Sequence, residues 1–201
     1  QVPMIAGPSG RAEMDLEAIG RAFEAGAEVF ILCNPHNPLG RVYSQEELEA
    51  LAVVVEAHGG LVFSDEIHAP LTLEGHRHIP YASLSEATAN HTLTATSASK
   101  AFNIPGLKCA QLIVSSAAHQ ESLREVAFMV SHGSATPGVM ANTVAYRAGG
   151  PWLADVLGYL DTNRTLLGEL LATHIPAMGY TPPEGTYISW LDANSLPDIK
   201  G

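Results

Sequence analysis

Four short apolar runs, EVFILC (28–33), LVFSD (61–65), TLTAT (92–96) and AQLIV (110–114), recur between residues 28 and 114. The stretches ahead of them carry a helical period instead. Leu16, Ile19 and Phe23 share one face before the first run, and Leu48, Leu51, Ala52 and Val55 do so before the second. Strands alternating with helices leave few ways to bury both, and the pattern predicts an α/β fold, a mostly parallel sheet with helices on both faces. EVFILC is almost continuously apolar, so it reads as an interior strand covered on both sides.

Local signals set the boundaries. Ser44 followed by Glu47 forms a capping box that starts a helix, and Gly59-Gly60 ends it just before LVFSD. Helical patterns are predicted at about 116–130 and 138–148, and a single long helix over 151–174 keeps apolar spacing apart from Asn163 and Arg164. Beyond a Gly- and Pro-rich turn, TYISWLD (186–192) alternates like a strand. Residues 1–175 are therefore expected to form a large domain and residues 176–201 the start of a small C-terminal α+β domain. The chain opens at Gln1 and stops at Gly201 soon after a strand-like segment, so it is expected to be the central piece of a longer enzyme, incomplete at both ends.

A net charge of −11 repels polyanions, which excludes nucleic acid and anionic membrane surfaces as partners. No apolar run approaches the roughly 20 residues of a membrane helix. Cys33 and Cys109 sit in or beside apolar stretches, as small buried side chains rather than a secreted disulfide framework, so the cytoplasm is the expected compartment. His68, His76, His78 and His91 lack the helical pairing or cysteine partners of a metal site, and none is expected. GPSGR (7–11) lacks the Gly-Lys-Ser/Thr ending of a phosphate loop and reads as a plain loop.

Ligands of a parallel α/β sheet bind beyond the carboxyl ends of its strands. Those ends lead into NPHNPLG (34–40), DEIH (65–68) and SASK (97–100), which bring asparagine, aspartate, histidine, serine and lysine to one rim. Only three lysines occur, Lys100, Lys108 and Lys200, and two of them fall within TATSASKAFNIPGLK (94–108). A lysine amine facing a carboxylate suits a Schiff base to the aldehyde of pyridoxal phosphate. In that arrangement Lys100 is the catalytic amine and proton carrier, and Asp65 keeps the pyridine nitrogen protonated. Asn37 and His68 lie near the phenolic oxygen, while Ser97 and Lys108 reach the phosphate.

NPHNPLGRVYS, SDEIH and SASKAFNIPGLK, with Asn37 and Asp65 28 residues apart and Asp65 and Lys100 35 apart, resemble the pyridoxal phosphate enzymes of the aspartate aminotransferase fold, the class I/II aminotransferases. SDEIH with the following HRHIP (76–80) is most similar to the cystathionine β-lyase branch, the MalY/PatB type, which cleaves the carbon–sulfur bond of cysteine conjugates. The resemblance extends to EGTYISWLD and implies an amino acid substrate, pyridoxal 5′-phosphate held by Asn37, Asp65, His68, Ser97, Lys100 and Lys108, and a homodimer when full length. Many members carry arginine where Lys108 stands; lysine supplies the charge without the planar fork. An aminotransferase using the same residues is the rival enzyme, and an inactive fragment or non-catalytic module the rival of another kind. The glycine-containing phosphate loop and ring-stacking aromatic of such enzymes are expected before Gln1, and the carboxylate-binding arginine beyond Gly201.

Overall fold

The computed structural model describes residues 1–7 and 11–196, so Lys200 and most of GPSGR lie outside the described residues. A short antiparallel pair, β1 (Ile5–Ala6) and β2 (Ala12–Glu13), precedes helix α1 (Leu16–Glu24). The Asp15 carboxylate caps α1 by accepting the Ala18 amide at 2.8 Å, satisfying one of the free donors of its first turn. Next come β3 (Val29–Cys33) and α2 (Gln45–Ala57). The predicted capping box is present in full: Ser44 Oγ accepts from the Glu47 amide at 3.2 Å, and the Glu47 carboxylate accepts from the Ser44 amide at 2.8 Å.

β4 (Leu61–Asp65), α3 (Glu86–Asn90), β5 (Thr92–Thr96), the single-turn α4 (Ala98–Ala101) and β6 (Gln111–Val114) complete the sheet region. The strands lie in the order β3-β4-β5-β6, parallel through the first three, with β6 antiparallel to β5. Helices α5 (Ala117–His132), α6 (Thr136–Ala148) and α7 (Gly150–His174) follow, then the two-residue strands β7 (Gly179–Tyr180) and β8 (Leu191–Asp192). The α/β class read from the sequence is the observed one. No helix among the described residues is long and apolar enough to cross a membrane.

The two faces of the sheet differ. Ile19 and Phe23 of α1 and Leu48, Leu51, Ala52 and Val55 of α2 pack with Leu32 of β3, Val62 of β4 and Tyr81 into one buried cluster. Strand pleating turns the alternate residues Ile31, Phe63 and Leu93, and beyond them Cys33, Asp65 and Ala95, to the other face. That face is only partly covered, and Asp65 sits on it at the carboxyl end of β4. Truncating Leu51, fully buried in the cluster, to alanine is expected to cost about 2–5 kcal/mol of folding free energy, read as a shift in the denaturant midpoint.

Two expectations change. EVFILC, predicted to be interior, forms the edge strand of the four-stranded sheet, with Ile31 70% exposed. An apolar run reports what a strand can bury, while its neighbours are set by chain elsewhere. TYISWLD contributes only Leu191–Asp192 to a strand. Thr186 adopts a left-handed φ of 69°, costly for a β-branched residue, and this breaks the extended run before it starts.

Candidate active site

The three strand exits lie side by side because β3, β4 and β5 are parallel and in register. Cys33 pairs with Asp65, and Asp65 with Ala95, so the chain leaves each strand at one level of the sheet. Asp65 holds the Ile67 amide through one carboxylate oxygen at 3.2 Å, which stiffens the turn leading to His68.

His68 is 3% exposed. Burial pushes its imidazole below the usual range, the Lys100 ammonium pushes the same way, and the Asp65 carboxylate pulls it back up. An amine and a carboxylate 35 residues apart in sequence therefore both act on the His68 imidazole. The Nδ1 atom of His68 is buried with no hydrogen-bond partner among the described residues. A buried ring nitrogen without a partner is costly unless another group meets it, so this atom fits a polar ligand held beside Lys100 and Asp65.

Lys100 stands on α4, half-buried, in the turn that leaves β5. The Ala98 amide at the start of that turn donates to Asn142 Oδ1 at 2.9 Å, and Asn142 in turn donates to the Gly138 carbonyl at 3.0 Å. Helix α6 thus fixes the one turn that carries the amine.

Ser97 is 1% exposed and caps α4: its Oγ accepts the Ser99 amide at 3.0 Å and donates to the Cys109 carbonyl at 2.6 Å. The latter bond draws the Lys108–Cys109 corner back to the start of α4, so the backbone beside Lys108 is held at the turn that Ser97 caps. Lys108 itself is exposed, in a left-handed conformation with φ 50°.

Asn37 is exposed in the loop after β3, where its amide donates to Cys33 Sγ at 3.4 Å. Cys33 is the register partner of Asp65 and ties that loop to the rim. Burial pushes the Cys33 thiol up, its contact with the Asn37 amide pulls it down, and the Asp65 carboxylate pushes it up again.

Several supporting residues are not legible as site residues in the sequence. Glu66, buried beside Asp65, accepts from Ser64 Oγ at 2.9 Å and the Tyr81 amide at 3.1 Å, and meets His78 Nε2 at 2.9 Å. His91 is engaged by the Tyr81 hydroxyl at 3.1 Å. SDEIH drew attention to its aspartate and histidine; the glutamate between them faces the opposite side of the strand exit and anchors the HRHIP segment.

An amine, a carboxylate and an imidazole on the rim of a mostly parallel sheet define a site suited to covalent handling of a carbonyl group. Residues 5–198 match the family model of aminotransferase class I and II, and the chain belongs to that family. It is 38% identical over 194 residues to the cystathionine beta-lyase PatB of Bacillus subtilis, covering 92% of this chain and 48% of that one. The solved structure of the PLP-bound C-S lyase from Staphylococcus hominis is similar with a TM-score of 0.86 and 33% identity, over 95% of this chain and 48% of the other. Cystalysin from Treponema denticola, whose structure contains pyridoxal 5′-phosphate, gives a TM-score of 0.89 at 27% identity, over 96% and 49%. The chain spans about half the length of the curated relatives it matches.

Proposed function

We propose that this chain carries the cofactor-holding part of a pyridoxal phosphate-dependent C–S β-lyase acting on cystathionine or other L-cysteine conjugates. The observation that carries the reading is the in-register exit of β3, β4 and β5, which brings Asp65, the buried and unpartnered Nδ1 of His68, and the α4 turn with Lys100 to one rim. The cystathionine β-lyase and C–S lyase names of its relatives point to the same chemistry.

Pyridoxal phosphate, when bound, supplies an aldehyde for an amine and a ring that accepts the electron pair of a bond broken at the substrate's α carbon. Lys100 would hold it covalently through Nζ and, once displaced by the substrate amine, take the proton from the α carbon at the same atom. The Asp65 carboxylate is the anion suited to keep the ring nitrogen protonated. Asn37 and His68 would face the phenolic oxygen, where the unpartnered Nδ1 of His68 finds use. Ser97 and Lys108 would take the phosphate, with Ser97 giving up its bond to the Cys109 carbonyl to donate there. Lys100 Nζ, carrying the α proton, would be the group placed to return it to the departing sulfur so that it leaves as the thiol.

Residues 1–175 would form the large cofactor-binding domain and residues 176–201 the start of the small one. A homodimer is supported by the exposed apolar residues Phe128, Met129 and Val130 of α5 and Met140 and Val144 of α6. The two free cysteines are in keeping with a cytoplasmic location.

Product analysis tests the activity. The holoenzyme is expected to release pyruvate and homocysteine from cystathionine with no 2-oxo acid added. A strict requirement for a 2-oxo acid would replace the lyase by an aminotransferase, and an absence of turnover together with no bound cofactor would leave a non-catalytic module.

A further inference from the structure

Residues 184–187, between β7 and β8, form no regular strand, yet they bond on both sides. The amides of Glu184 and Gly185 donate to the Gly40 carbonyl at 2.8 and 3.0 Å, joining this segment to the loop that carries Asn37. On its other side the Thr186 amide donates to the Leu71 carbonyl and the Leu73 amide to the Glu184 carbonyl, each at 2.9 Å, joining it to the chain that follows His68. Residues 184–186 are thus wedged between the exits of β3 and β4.

The side chains reinforce the wedge. Glu184 Oε2 accepts from the Val42 amide at 2.8 Å and lies 3.4 Å from Arg41 Nε, while Oε1 pairs with Arg11. Arg41 is buried, and its Nη2 also donates to both carboxylate oxygens of Glu47 of α2, at 2.6 and 2.8 Å, so Glu184 is tied through Arg41 to α2. Gly40, at φ 68°, has no room for a side chain: a Cβ there would meet Pro183 Cβ at 2.4 Å. Thr186, left-handed and 1% exposed, is a strained residue of the kind that persists only where its surroundings hold it. The strain places the next ring, Tyr187, edge-on to His68, with centroids 5.6 Å apart and planes at 72°.

We infer that residues 184–187 are a positioning clasp, in which Glu184 holds the Asn37 loop and Tyr187 braces His68, so that the spacing of these two groups around the cofactor is set by chain outside both motifs. The inference rests on the cofactor reading given above. Tyr187 is 48% exposed, so its ring can be removed without opening the core.

The test uses the full chain with Tyr187→Ala, Tyr187→Phe and Glu184→Gln. The titration midpoint of His68 is followed by NMR without cofactor, and the dissociation constant of pyridoxal phosphate by absorbance. The charged groups acting on His68, Lys100 and Asp65, are the same in all variants. Tyr187→Ala is expected to raise the His68 midpoint, because lost burial restores the charged form, and to weaken cofactor binding about fivefold, the size of one edge-on aromatic contact. Tyr187→Phe keeps the ring and should match wild type in both readouts. Glu184→Gln keeps an acceptor for Val42 but loses the charge facing Arg41 and Arg11, and should weaken cofactor binding while leaving the His68 midpoint in place. A wild-type His68 midpoint in Tyr187→Ala, or wild-type cofactor affinity in Glu184→Gln, overturns the clasp. Failure of the wild-type chain to bind pyridoxal phosphate overturns the cofactor reading instead, and the His68 midpoints still decide the role of Tyr187.

Discussion

Alanine at Lys100 is expected to remove the covalent cofactor band and to lower turnover of cystathionine by about 10³-fold or more, since the same atom would serve as both anchor and proton carrier. The fold should be unaffected. Lys100 makes no ion pair among the described residues, and the bond that fixes its turn runs from the Ala98 amide to Asn142, independent of the lysine side chain. Thermal unfolding of the cofactor-free variant should match wild type. Loss of activity with the cofactor band retained would move the covalent role to another lysine, and Lys108 would be the next to test.

Asparagine at Asp65 is the second large effect, with an expected loss of about 10²-fold or more in turnover, comparable to removing one preorganised electrostatic group. The substitution keeps the shape and an oxygen for the Ile67 amide, so the turn to His68 should persist. It removes the charge. Because the Asp65 carboxylate raises the His68 midpoint against burial and Lys100, its loss should send that midpoint further down, a direction that NMR titration reads without any cofactor. An unchanged His68 midpoint would mean that the two groups do not share a site, and turnover near wild type would remove Asp65 from the chemistry.

How much of this was legible in the sequence follows from the range of the interactions. Helix α2 was readable because its capping box closes within three residues, and the four strands because their apolar period is local. The rim follows from one further rule, that parallel strands present their carboxyl ends together, which brings the exits holding Asp65, His68 and Lys100 to one side of the sheet. The edge position of β3 was not readable, because strand order is decided by pairing and not by the composition of the strand.

The supporting residues were hidden for the same reason. Asn142 holds the Lys100 turn from 44 residues away, Glu66 reaches Tyr81 across 15, and Glu184 reaches Val42 across 142. An asparagine on a helix and a glutamate beside a glycine carry no local sign of such partners. Thr186 had a sign that the alternation concealed: TYISWLD has strand periodicity, but its first residue belongs to EGT, which is held by two flanking loops, and the backbone turns left-handed there.

Lys100 is the residue proposed to anchor the cofactor covalently. Incubation with pyridoxal phosphate, reduction with borohydride and peptide mapping test it most directly. A single modified lysine at Lys100 is the predicted result; no modification, or equal modification of Lys100 and Lys200, would contradict it.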